Sequence, residues 1–191
     1  LRPLILASAS PRRAELLEQV GYTFEVCPGN AREEVGEGLP SAGVESLALK
    51  KSLSVAPSFD RGAILGADTV VCCDGKTLGK PVDEDEAIAS LKLLSGRRHE
   101  VITGIALVDA AGEWSSVTDH LCTEVWWRDL DEEEILHYVR SGEPMDKAGA
   151  YGIQGFASVF VERLEGCYFN VMGLPLGLVY RHLARWGIKP F

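Results

Sequence analysis

The sequence predicts an α/β fold built on a mixed sheet, and three observations carry that expectation. Apolar runs of strand length and amphipathic runs of helix length follow one another without the strict βαβ alternation of an all-parallel sheet. Hairpin signals are frequent, with Asp74-Gly75 the clearest. The chain has 191 residues and 46% apolar content, enough for one domain over residues 1–191 with a sizeable core, with room for a smaller second lobe.

Taken in order, residues 3–7 read as a buried strand. A helix is expected over 11–20, with Ser10 as N-cap, Pro11 at the first helical position, Gly21 at its end, and Leu16, Leu17 and Val20 on its core face. Residues 22–27 alternate like a strand, and 28–43 read as loop. The next helix, 42–56, carries Val44, Leu47, Ala48 and Val55 on one side and Leu49 and Leu53 on the other, so it is expected to be well buried. Lys51 falls inside its apolar stripe, where a lysine is unusual. Residues 63–73 read as a strand interrupted at Gly66-Ala67-Asp68, turning at Asp74-Gly75 into a return strand over 76–79. There follow a helix over 83–94, strands over 99–108 and 116–127 joined near Gly112, and a helix over 131–140. A glycine-rich loop, strands near 157–164 and 167–172, and a helix over 175–186 complete the chain.

The net charge of −9 and the lack of a basic tail argue against a general nucleic-acid binder. No apolar run approaches 18 residues and no signal peptide is evident, so neither a membrane span nor secretion is expected. The five cysteines (27, 72, 73, 122, 167) are odd in number and form no CxxC, which favours free thiols in a reducing cytoplasm. The four histidines are scattered and read as surface or core residues rather than metal ligands.

Function is sought where charges sit awkwardly. The helices at 83–94 and 131–140 open with acids, as the helix dipole favours, whereas the first helix opens with Arg12 and Arg13. Two cations beside free N–H groups make a phosphate site. On dipole grounds each one costs the empty protein roughly 0.3–1 kcal/mol. Arg13→Gln is therefore expected to leave the empty protein as stable as wild type or slightly more so. "DGKT" at 74–77 is not a Walker A loop, because Val70 stands where that motif needs glycine. There is no GxGxxG and no GxSxG.

Each remaining charge has a bland alternative. Asp68 reads as a turn cap or a functional carboxylate, and Lys51 as a snorkelling or a buried lysine. Glu33 and Lys80 read as loop charges or ligand contacts, and Asp146 and Lys147 as a local pair. Together they suggest carboxylates for a hard divalent metal and cations for an oligophosphate.

The stretches LILASASPRRAELL, GADTVV, GKPVDEDEA, LSGRRHEVITG and SGEPMDKAGAYGIQG resemble the Maf family of nucleotide pyrophosphatases, from about residue 4 to residue 183. The resemblance implies a fold like that of the inosine triphosphate pyrophosphatases: a mixed central sheet flanked by helices, with the active site in a cleft. It also implies a cytoplasmic homodimer. Arg12, Thr69 and Gln154 match the branch of the family that acts on dTTP and UTP. Hydrolysis would give the monophosphate and pyrophosphate. Ser8, Arg12, Arg13, Lys51 and Lys80 would hold phosphates, and Thr69 and Gln154 would read the base. Glu33 and Asp68 would bind Mg²⁺, with Mn²⁺ as the alternative, and Asp68 would accept the proton of the attacking water. A Gln amide also matches cytosine when flipped, so modified cytidine nucleotides stay open as substrates. One departure stands out: Leu78-Gly79-Lys80-Pro81 replaces the LEKP of many relatives, removing a carboxylate beside Lys80. Two rival readings remain, a non-catalytic nucleotide-binding regulator of cell division and a purine nucleotide pyrophosphatase.

Overall fold

A computed structural model describes residues 2–31, 40–111 and 115–191. Apolar β1 (Leu4–Leu6) is buried at all three positions, as befits a strand flanked by parallel neighbours on both sides. It pairs in parallel with β2 (Phe24–Val26) and with the start of β3 (Ala63–Cys73), in register Leu4↔Ala63 to Leu6↔Leu65. The end of β3 pairs antiparallel with β4 (Lys76–Leu78). The hairpin turn is the expected Asp74-Gly75, both at positive φ (49° and 76°), as a two-residue turn of this hand requires. Strands β5 (Arg98–Asp109), β6 (Ser116–Trp127) and β7 (Val161–Glu165) complete a seven-stranded mixed sheet of order β2-β1-β3-β5-β6-β7, with β4 on β3.

The chain divides into two compact units. The first comprises Leu1–Asp68, Thr103–Leu121 and Gly173–Phe191. It holds α1 (Pro11–Gln19), α2 (Pro40–Val55) and α6 (Leu176–Arg185). Its core includes Ile5, Ala7, Val55, Ala56, Ile64 and Val108. The second comprises Thr69–Ile102 and Cys122–Met172, with α3 (Glu84–Leu94), α4 (Glu132–Arg140) and the short α5 (Tyr168–Val171). Both α3 and α4 open with acids as expected, and in each the first aspartate stands just outside the helix as its cap. Asp83 accepts from the Glu86 N–H, and Asp131 and Glu134 form a reciprocal capping box.

Several expectations need correction. β3 runs unbroken through Gly66-Ala67-Asp68. The glycine there is a packing device: a Cβ at 66 would lie 2.2 Å from the Ala48 carbonyl oxygen and 2.4 Å from Ser52 Oγ, so its absence lets α2 press onto the strand. Val20 is 39% exposed rather than part of the core, because α1 ends at Gln19. α2 is less enclosed than expected, since Leu53 is 40% exposed. Residues 156–160 form 3₁₀ turns before β7. The strand expected at 167–172 is instead α5, where the buried Asn170 amide donates to the Val101 carbonyl and to Thr123 Oγ1. That pairing is tertiary, and no local pattern announces it. All five cysteines are free thiols. Among the described residues, no helix is long and apolar enough to cross a membrane.

Candidate functional site

Two parallel strands deliver the first group of side chains. β1 runs on through Ala7, whose N–H donates to the Leu65 carbonyl, so Ser8 leaves β1 beside Ala67 and Asp68 of β3. The C-terminal ends of parallel strands are where ligands gather in open α/β sheets. α1 starts immediately afterwards. Its N-cap Ser10 makes no side-chain cap bond, and its first turn contains no acid.

Arg13 is buried, with 8% of its surface exposed, and its guanidinium turns inward. Nε donates to the Gly173 carbonyl at 2.7 Å, and Nη1 donates to Ser8 Oγ and the Ala67 carbonyl, each at 2.9 Å. This fork ties together α1, the exit of β1, the middle of β3, and the segment leading to α6. The dipole-based expectation that Arg13 burdens the empty protein is therefore corrected, because the cation satisfies buried main-chain acceptors. Arg12, the preceding residue of the same turn, is half-buried.

From α2, the Lys51 ammonium donates to Asp68 Oδ1 at 2.5 Å. The side chains are 12% and 9% exposed, respectively, so this pair is largely withdrawn from water. Bare Gly66 allows the contact, since it sets the α2–β3 spacing two residues before Asp68. The snorkelling reading of Lys51 and the turn-cap reading of Asp68 both give way to this pairing. Ser8, Arg13, Lys51 and Asp68 thus form one constellation in the first unit: a hydroxyl, a guanidinium, an ammonium and a carboxylate beside a helix N-terminus. Such a set can hold phosphate oxygens and present a carboxylate oxygen to a cation or a proton. Glu33 lies outside the described residues.

Thr69, Lys80 and Gln154 belong to the second unit. Thr69 is half-buried on β3, and Lys80 is exposed just after β4. The Gly79 carbonyl accepts from the Gly149 N–H, which links this stretch to the glycine-rich loop. A Cβ at Gly79 would meet no heavy atom within 4 Å, so packing does not require glycine at this position. Gln154 is exposed on a turn closed by the Gly155 N–H donating to the Gly152 carbonyl. Lys147 pairs with Asp146 as expected, at 2.7 Å, and also donates to the Glu143 carbonyl.

Glu143 and Tyr151 within this loop and Tyr138 beside it are given no role by the sequence, whereas His99, which also meets the loop, is one of the histidines expected at the surface or in the core. His99 is 1% exposed and shares a 2.8 Å hydrogen bond with the Tyr151 hydroxyl. Burial pushes its pKa down from 6.5 to about 4, the Arg97 carbonyl pulling the other way, so it is neutral at pH 7. Burial likewise raises the phenols of Tyr138 and Tyr151, which stay protonated.

A model of the Maf-like protein family matches residues 3–186. A dTTP/UTP pyrophosphatase of Syntrophomonas wolfei is 51% identical over 183 residues, covering 95% of this chain and 96% of that one. A dTTP/UTP pyrophosphatase of Carboxydothermus hydrogenoformans is 48% identical over 184 residues, covering 96% and 98%. The Ham1 protein of Staphylococcus aureus shares the fold, with a TM-score of 0.55 over 96% of this chain and 99% of that one at 13% identity.

Proposed function

The chain belongs to the Maf-like protein family, and from that premise we propose that it is a nucleoside triphosphate pyrophosphatase acting on dTTP and UTP. Water attacks the α-phosphorus, the bond to the β-phosphate oxygen breaks, and the products are the monophosphate and pyrophosphate. Relatives about half identical over nearly their whole length are named dTTP/UTP pyrophosphatases, which supports the substrate class. The observation that carries the chemistry is the secluded pair of Lys51 with Asp68 in the middle of β3, just past the pairing of that strand with β1, beside an α1 N-terminus without acids.

Phosphate oxygens are taken by Arg12, Lys51, Lys80, the Ser8 hydroxyl and the α1 N-terminus. Arg13 contributes charge to the cradle while its fork holds Ser8 in place. Asp68 is a hard oxygen donor and so fits Mg²⁺, which is held by one or two carboxylates together with substrate phosphates. We assign Glu33 as the second carboxylate. When bound, the metal neutralises charge building on the leaving pyrophosphate. Lys51 fixes the Asp68 carboxylate in orientation, and Asp68 takes the proton of the attacking water or orients that water. Thr69 and Gln154 read the base, the Gln amide donating to O4 and accepting from N3–H of uracil or thymine. The resemblance extends the proposal to a cytoplasmic homodimer.

The test is a panel of nucleoside triphosphates with Mg²⁺, resolving the products by anion exchange. UTP and dTTP should yield monophosphate and pyrophosphate, and EDTA should abolish turnover. Orthophosphate released without added inorganic pyrophosphatase, a preference for purines, or binding without turnover would each refute it.

A further inference from the structure

The glycine-rich loop presents Gln154 on the tip of a four-residue turn, Gly152 to Gly155. Of the two central residues, Ile153 points into the core at 6% exposure, whereas Gln154 is exposed. A turn of this kind aims its side chain only as well as its two ends are held. Here one carboxylate reaches both ends. Glu143 Oε2 accepts from the Phe156 N–H at 3.2 Å, just after the turn. Glu143 Oε1 accepts from the Tyr138 hydroxyl at 2.9 Å, and that hydroxyl accepts from the Gly152 N–H at 3.2 Å, at the start of the turn.

Two further features make this a built arrangement. A Cβ at position 155 would lie 2.1 Å from Glu143 Oε1, so a side chain there would push the carboxylate out of its present place against the turn. The Tyr138 ring stacks on Phe156, with centroids 5.7 Å apart and planes 20° apart, and meets Phe160 edge-on. α4 therefore supplies a rigid post for the hydroxyl. Upstream, Tyr151 is anchored separately on His99.

We propose that Glu143 is a positioning residue for base recognition, its carboxylate clamping both ends of the 152–155 turn and thereby setting where Gln154 is presented. The proposal rests on the assignment of Gln154 as a base-reading residue. Removing the clamp loosens the Gln154 amide relative to the base and leaves the phosphate-holding residues of the first unit unchanged. Discrimination between bases should then fall more than phosphate binding.

The experiment compares wild type, Gln154→Ala, Glu143→Ala and Tyr138→Phe. The last keeps the stacked ring and deletes only the hydroxyl. The readout is the ratio of kcat/KM for UTP to that for ITP, together with inhibition by inorganic pyrophosphate. The ratio does not depend on how much of a preparation is folded, so general destabilisation does not move it. Misplacement by about 1 Å can cost on the order of 100-fold. We expect the ratio to fall at least about 10-fold in Glu143→Ala and Gln154→Ala and by a smaller factor in Tyr138→Phe, with pyrophosphate inhibition within about 2-fold of wild type. If Gln154→Ala lowers the ratio and both Glu143→Ala and Tyr138→Phe leave it unchanged, the positioning role is overturned. An unchanged ratio in Gln154→Ala overturns the base-reading assignment and the clamp with it. A wild type that releases no pyrophosphate from UTP refutes the enzymatic reading itself, a distinct result.

Discussion

Replacing Arg13 by glutamine separates two views of the first helix. A helix dipole opposes a cation in its first turn, which by itself makes Arg13→Gln neutral or stabilising by roughly 0.3–1 kcal/mol. The structure reverses that sign. The guanidinium satisfies the Gly173 and Ala67 carbonyls and Ser8 Oγ, in surroundings where Ala67 is fully buried and Ser8 is 6% exposed. Hydrogen bonds from a charged donor contribute about 1.5–3 kcal/mol each, and a buried acceptor left unpaired costs about 1–3 kcal/mol. Glutamine has one amide donor group on a shorter stem, so it keeps at most one of the three. After allowing for dipole relief, the ligand-free mutant should lose about 2–4 kcal/mol. For a chain of this size that lowers Tm by about 5–15 °C. Arg13→Lys keeps the charge but not the fork, and should fall most of the same distance. Thermal melts at low salt, with and without a non-hydrolysable UTP analogue, read both stability and ligand-induced stabilisation. Arg12→Gln should mainly shrink the ligand-induced shift. A ligand-free Arg13→Gln protein within about 0.5 kcal/mol of wild type would refute the reasoning, because the fork would then hold nothing that matters.

Two other perturbations follow from the same geometry. Asp68→Asn should lower kcat/KM for UTP by at least about 100-fold. It should also destabilise the protein by up to about 3 kcal/mol, because the secluded Lys51 ammonium loses the Asp68 charge; a well-folded mutant with rates within a few-fold of wild type would make Asp68 structural. His99 has its folded pKa held near 4 by burial, whereas the unfolded chain takes up that proton near 6.5. Stability from this group is thus present above pH 6.5 and is lost as pH falls to about 4, by up to about 3 kcal/mol. Urea denaturation at pH 7 and pH 5 should show a smaller loss in His99→Gln than in wild type, and parallel losses would show that His99 does not titrate this way.

What the sequence alone determined is what neighbouring residues settle among themselves. The caps of α3 and α4 lie within three residues of the N–H groups they satisfy. The Asp74-Gly75 turn needs only two residues tolerant of positive φ. The apolar β1 announces its burial, and the arginine pair announces an anomaly at a helix start. Tertiary structure decided everything whose partner lies far along the chain. Arg13 finds its acceptors 5, 54 and 160 residues away, which turned an apparent electrostatic burden into a brace. Lys51 and Asp68 each have a bland local explanation, and only the approach of α2 over Gly66 makes them one site. Asn170 overrides a strand-like pattern through bonds to β5 and β6. Glu143 is one acid among many in the sequence until the chain folds back and ties it to one end of a turn directly and to the other through the Tyr138 hydroxyl. Local propensities act over a few bonds, whereas a buried polar group takes whichever partner the closed chain delivers, and sequence spacing does not encode that delivery.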